Sequence, residues 1–213
     1  MRASFVFAAA VAAATIAPVA MALYGIGLPN PSAFGFFDNA GEYSEISDAA
    51  GDAQPVLQRS NTSIIPEAKP YHDLVGASIR KQQDGSLDLT MRLAGDPNRN
   101  EKFETNYMWN IVGAGGEGRD YAIMLINFPP GFFDIRGNTS LQGWYYAVFD
   151  RTANDYVVPQ AKTLDMPSDR VEFRLDSTLI GNPQSFRYWV SVYTRVNNTS
   201  FDFEPEYLMD YAP

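Results

Sequence analysis

The chain has no cysteine and a single histidine. Without thiols there are no disulfides, thiolate zinc sites, iron–sulfur clusters or cysteine nucleophiles. Small secreted eukaryotic domains usually carry disulfides, so their absence points to a prokaryotic exported protein that relies on its core. The one histidine, His72, is all that a serine triad would have, and no G-x-S-x-G elbow accompanies it. It is read as structural.

Basic residues are also scarce in particular places. No Lys or Arg lies between Arg2 and Arg59, where Asp38, Glu42, Glu45, Asp48 and Asp52 all occur. None follows Arg195, where Asp202, Glu204, Glu206 and Asp210 occur. The net charge is −9 over the whole chain. Such a balance disfavours nucleic acid and anionic membrane surfaces as partners. Glycine is clustered in Gly113 to Gly118, but a strand follows it, not a helix whose N-terminus would hold a phosphate. No nucleotide is expected there.

The chain opens on a targeting pattern. Arg2 precedes an apolar, alanine-rich run from Phe5 to Ala17, and Ala20 to Ala22 form a small-x-small cleavage site. Residues 1–22 are read as a signal peptide, which places the protein outside the cell or on its surface. Membrane contact is expected only if this segment stays uncleaved. Residues 23–70 read as an N-terminal arm and acidic loop, with one edge strand in the proline-marked stretch before Pro70. Residues 71–213 read as a single β domain. Four Asn-x-Ser/Thr sequons, at Asn61, Asn138, Asn197 and Asn198, fall in expected loops and are compatible with a glycoprotein.

What is abundant is period-two alternation. Val75, Ala77 and Ile79 alternate with smaller or polar residues, and so do Leu87, Leu89, Met91 and Leu93. Asp84 and Gly85 between them supply a hairpin turn. Further strands are expected over Thr105–Val112, Tyr121–Asn127, Leu141–Asp150, Val171–Leu175 and Ser185–Thr194. Tyr121–Asn127 is apolar on both faces and therefore central, and the Pro129–Pro130 pair ends it. A short strand over Val157–Val158 is ended by Pro159, and a last one lies near Phe201–Phe203. Asp176 caps one helical turn that Gly181 stops. The fold class is all-β: an antiparallel two-sheet sandwich, jelly-roll-like, of about eight strands.

Several of these stretches resemble a known group. The DAAGD run from Asp48 to Asp52, the DLVGASI run from Asp73 to Ile79, the Asp-Gly turn, the alternating Leu87–Leu93 strand and the late Leu175–Gly181 segment together resemble exported prokaryotic DOMON-like domains and family 9 carbohydrate-binding modules. The resemblance covers most of Asp48 to Tyr211 in short, degenerate motifs. It implies a jelly-roll-like sandwich, extracellular placement, and binding of sugars, haem or calcium in some members. Haem-binding members use Met and His ligands. His72 has no methionine matched to it here, so no haem is expected.

Two sets of residues are candidates for a site. Calcium takes six to eight oxygen ligands, often from loops that hold carboxylates together. Asp48, Asp52 and Asp73 are candidate ligands, joined by Asp202 and Glu204 if the acidic ends meet. An ordered D-x-D-x-D-G loop is lacking; ordinary solvated charge is the competing explanation. The second set is aromatic. Trp109, Trp144, Tyr146, Trp189 and Tyr193 lie in strands, where their rings either stack on sugars or fill the core.

The expected function is a non-catalytic extracellular or cell-surface binding module that recognises carbohydrate, with calcium as a stiffening ion. A structural or interaction protein of the cell envelope without a small ligand is the first alternative. A glycoside hydrolase using carboxylates about 5 to 9 Å apart is the second. The alternating acids Asp202, Glu204 and Glu206 would be its source, but Pro205 argues against a buried catalytic strand, so no catalytic residue is assigned.

Overall fold

The computed structural model describes residues 33–59, 65–114, 118–134, 139–163, 165–196 and 206–213. The segment read as a signal peptide, the four sequons, Asp202 and Glu204 lie outside the described residues, as does the strand expected near Phe201.

The hairpin read from the sequence forms the middle of the smaller sheet. β4 (Leu74–Lys81) pairs antiparallel with β5 (Leu87–Leu93), with Ile79 opposite Leu89 and Ala77 opposite Met91. Gly85 takes a left-handed φ of 85° at the turn, and the Asp84 carboxylate accepts the N–H of Ser86. Alternation puts Ile79, Leu87, Leu89 and Met91 in the core and leaves Asp88, Thr90 and Arg92 at the surface or half-buried. The sheet is completed by β2 (Tyr43–Ser47) beside β4 and β10 (Arg170–Leu175) beside β5.

The larger sheet contains β1 (Gly35–Asp38), β3 (Val56–Arg59), β6 (Glu104–Ala114), β7 (Arg119–Asp134), β8 (Thr139–Asp150), β9 (Asp155–Lys162), β11 (Ser185–Arg195) and β12 (Glu206–Ala212). Its order is β3-β12-β11-β6-β7-β8-β9. β1 and β12 share one edge of β11: Gly35–Asp38 pair with its first residues and β12 with Val190 to Arg195. Twelve strands in two antiparallel sheets among the described residues make this an all-β sandwich.

Three local expectations are corrected. The acidic stretch before Asp52 is not a plain loop, because Tyr43–Ser47 pair with β4 and Ser44 and Ile46 turn inward. The Pro129–Pro130 pair does not end β7. The register slips between Phe128 and Phe132, so a bulge accommodates the missing N–H groups and the strand runs on to Asp134. Likewise Pro159 lies inside β9, an edge strand with a register shift against β8. The capped turn does form: the Asp176 carboxylate accepts the Thr178 N–H at 3.0 Å, and Gly181 adopts φ 77°.

The main core lies between the sheets and includes Tyr107, Trp109, Ile111, Ile123, Leu125 and Val148 of the larger sheet. A second apolar cluster, with Met108, Met124, Ile126, Ala147, Phe149 and Tyr193, occupies that sheet's other face. The larger sheet therefore buries apolar side chains on both faces, which is why Tyr121–Asn127 carries no polar alternation.

Candidate functional site

The site forms where the two sheets meet at one edge of the sandwich. β2 ends at Ser47, and the chain makes a turn through Asp48, Gly51 and Asp52, with Gly51 at φ 90°. The turn lies against the start of β4: Gly51 N–H donates to the Asp73 carboxylate at 2.8 Å. Just beyond it, Gln54 N–H donates to the Met209 carbonyl of β12 at 2.9 Å. That bond brings the turn beside Asp210.

Asp210 is held from two directions. Its carboxylate accepts the N–H of Leu74, the first residue of β4, and the N–H of Tyr211, both at 2.8 Å. A ligand oxygen from each of Asp48, Asp52 and Asp210 then lies within 4.8 Å of the others. Two oxygens on one calcium ion, each about 2.4 Å away, are separated by no more than about 5 Å, so this spacing fits a shared cation. Asp73 lies behind the turn, 7% exposed.

The electrostatics favour a positive charge at this place. Burial, helped by Asp52 and Asp73, pushes the Asp48 carboxyl up to about 6. Burial, with Asp48 and Asp52 adding repulsion, pushes Asp210 up to about 7. One buried oxygen on Asp48 (Oδ2) and one on Asp73 (Oδ1) accept no hydrogen bond. A buried carboxylate oxygen without a donor is costly, and a hard cation is a partner that would satisfy it. The donor set, all oxygen, suits calcium.

Of the five metal-ligand residues expected from sequence, the structure brings Asp48 and Asp52 together, with Asp73 adjoining. Sequence reasoning misses Asp210. Its only signal there is membership of the acidic C-terminal stretch, and nothing local distinguishes it from Asp202 or Glu204.

The aromatic set is placed differently from a binding platform. Trp109, Trp144, Trp189 and Tyr193 are all buried. Trp144 donates from its indole N–H to Asn98 Oδ1 at 2.9 Å, and Trp189 stacks on Phe34 with ring centroids 6.3 Å apart. Tyr146 is half-buried against Phe173. Trp144 and Tyr146 belong to the inter-sheet core, whereas Tyr193 belongs to the cluster on the opposite face. Alternation assigns a residue to a face, and here both faces are covered. Trp109, Trp144, Trp189 and Tyr193 are core, and Tyr146 packs half-buried against it.

His72 is buried as well. Its Nδ1 accepts the Lys69 N–H at 3.1 Å, so the proton sits on Nε2, 3.1 Å from the Thr194 hydroxyl. Burial holds it neutral, down to about 3.

The carboxylates open into a pocket of about 360 Å³ bordered by Gln54, Met209, Tyr211 and Pro213. A separate hollow of about 400 Å³ beside Asn98, Asn127 and Trp144 is less available, because Asn98 already bonds Asp96, Met166 and Trp144. Comparison with protein-family models, curated proteins and solved structures finds no match to this chain.

Proposed function

We propose that this protein is an exported, non-catalytic binding module whose working centre is a calcium site formed by Asp48, Asp52 and Asp210, with Asp73 behind them. The observation that carries the reading is the pair of buried carboxylate oxygens, on Asp48 and Asp73, that accept no hydrogen bond beside a three-carboxylate cluster. Exported placement rests on the sequence pattern of residues 1–22 and the absence of cysteine. The resemblance to DOMON-like domains and family 9 carbohydrate-binding modules is in keeping with it, since calcium serves some of their members.

Raised carboxyls in a pocket also invite comparison with a glycosidase acid pair. A general acid needs its proton free to reach a leaving group. Here both oxygens of Asp210, the most raised group, already accept backbone N–H groups. Those bonds favour the ionised form and occupy the oxygens in the role of acceptors. The arrangement supports cation binding over proton transfer.

The test is the melting temperature of the mature protein in calcium and then in chelator. A ligand bound only by the folded state at a hundred times its Kd adds about 2.7 kcal/mol. For a domain of this size that is roughly 5 to 10 °C. The rise should be absent in Asp48→Asn and Asp210→Asn. No difference between calcium and chelator in the parent protein would refute the reading.

A further inference from the structure

The hollow of about 400 Å³ opens beside the bulge in β7. Phe128 pairs with Gly143, and the next pair is Phe132 with Leu141, so residues 129–131 stand against Gln142 alone. Gly143 takes a left-handed φ of 80° at the same place. Bulges of this kind re-aim side chains and often border functional sites. Small-ligand pockets start near about 300 Å³, so there is room for more than water.

The lining has spent its donors. Asn98 gives its side-chain N–H groups to the Asp96 carboxylate and the Met166 carbonyl. Asn100 gives its own to the carbonyls of Phe103 and Asn127, and Asn127 donates to the Pro97 carbonyl at 2.7 Å. Every partner is an oxygen that only accepts, which fixes the orientation of these amides. The Trp144 indole N–H goes to Asn98, and Pro130 has no N–H to offer. Among the lining residues, Gln142 at the exposed rim is the remaining side-chain donor.

An acceptor is left over. Asn98 Oδ1 is taken by Trp144 and the Met166 N–H, but Asn100 Oδ1 accepts nothing. Asn100 is 3% exposed, and a buried carbonyl oxygen without a donor is costly. The exposed carboxylate of Asp165 borders the same hollow, as do the rings of Phe128 and Trp144. Amide oxygen, carboxylate and aromatic carbon all favour a positive ligand that carries N–H groups. An anion would meet the Asp165 charge with one rim amide to hold it. The net charge of −9 steers in the same direction.

We infer that this hollow binds an organic cation with N–H donors, an alkylammonium group, with Asn100 Oδ1 as the buried acceptor and Asp165 as the counter-charge. The site shares no residue with the aspartate cluster and does not depend on calcium.

The experiment is an NMR titration of the isotope-labelled mature protein, in calcium, with n-butylammonium, butyltrimethylammonium and Nα-acetyl-lysine methylamide. Saturable shifts of the Asn100 side-chain amide and the Trp144 indole are expected with both primary ammonium ligands. Butyltrimethylammonium has the same charge and no N–H, and should not produce them. Asp165→Lys should weaken binding about tenfold, since it removes an attraction and adds a repulsion; its Tm, measured in parallel, shows whether it is folded. Tighter binding of the lysine derivative than of butylammonium upholds the site and assigns it to a polypeptide side chain. The reverse order upholds it and assigns it to a free amine. The inference is overturned if neither primary ammonium gives saturable shifts, or if the quaternary ion binds as well as they do. It is equally overturned if the shifts fall on the Asp48–Asp52–Asp210 cluster instead, or if folded Asp165→Lys binds as the parent does.

Discussion

The Asp210 carboxylate accepts the backbone N–H of Leu74 at 2.8 Å, which joins the C-terminal strand of the larger sheet to the first strand of the hairpin in the smaller one. The same carboxylate lies in the three-aspartate cluster. One side chain therefore links the two sheets and belongs to the proposed cation site. Its two roles separate in variants. Asp210→Asn keeps a single acceptor oxygen and removes the charge, so it should lose the calcium response with a modest change in calcium-free stability. Asp210→Ala leaves the Leu74 and Tyr211 N–H groups without this acceptor. It should cost about 1 to 3 kcal/mol for each donor left buried and unpaired, measured by urea denaturation in chelator.

The cluster also sets a pH dependence. Asp48 and Asp210 have folded-state values of about 6 and about 7, above the unfolded value of 3.8. Groups raised on folding stabilise fully only below their unfolded value. That contribution declines as pH rises through the folded values. The calcium-free protein should thus lose stability from these groups between about pH 4 and pH 7, with little further loss above. Calcium should offset the loss, and its affinity should rise over the same window as protons stop competing. Isothermal titration with calcium at pH 5 and pH 8 checks this. Equal affinity at both would exclude Asp48 and Asp210 as ligands.

His72 acts in the opposite sense. Its folded-state value, about 3, lies below the ordinary 6.5. The unfolded chain binds the extra proton between those values, so this contribution to stability is complete above about pH 6.5 and falls as pH falls toward 3. The slope is at most about 1.4 kcal/mol per pH unit. A His72→Gln variant should be less stable at neutral pH through disturbed bonds to Lys69 and Thr194, yet flatter in its acid dependence. Chemical denaturation at several pH values in chelator separates the slope from the offset.

The buried aromatics should report on stability and not on ligand. Trp189→Ala should cost about 3 to 5 kcal/mol, the usual range for emptying a core aromatic site. For any glycan that the folded variant binds, its apparent affinity should match the parent's after correction for the folded fraction. Loss of binding in a fully folded variant would return Trp189 to the ligand site.

Gly76 is constrained by a close approach of chain to chain. A Cβ there would lie 2.8 Å from the Ile46 carbonyl oxygen, and the β2 backbone that carries this oxygen is tied to β4 by the Ile46–Ala77 and Ser47–Gly76 pairs. Gly76→Ala should destabilise by about 1 to 3 kcal/mol, the range for overpacking. By loosening β2 from β4 it should also weaken calcium binding through Asp48, which follows β2 directly. Thermal melts with and without calcium would show both effects.

Local chemistry governs which features of the fold follow from residue order. Alternation over Leu87–Leu93, the Asp84–Gly85 turn and the Asp176 cap each depend on residues a few positions apart, and each appears in the fold as expected. The proline-interrupted strands run on against expectation because a bulge or an edge position removes the cost of the missing N–H, and neither is a local property. Exposure of the aromatics is likewise undecidable from period two, since a strand buried on one face and a strand buried on both can carry the same tryptophans. Residue order and chemistry are enough for an all-β chain, for the acidic, base-free stretches before Arg59 and after Arg195, and for Asp48, Asp52 and Asp73 as candidates. That Asp210 joins them depends on the packing of the sheets, because strand order places β12 against β11 and brings its end to β4. Residues 136 positions apart share a hydrogen bond there, and no spacing along the chain encodes that meeting.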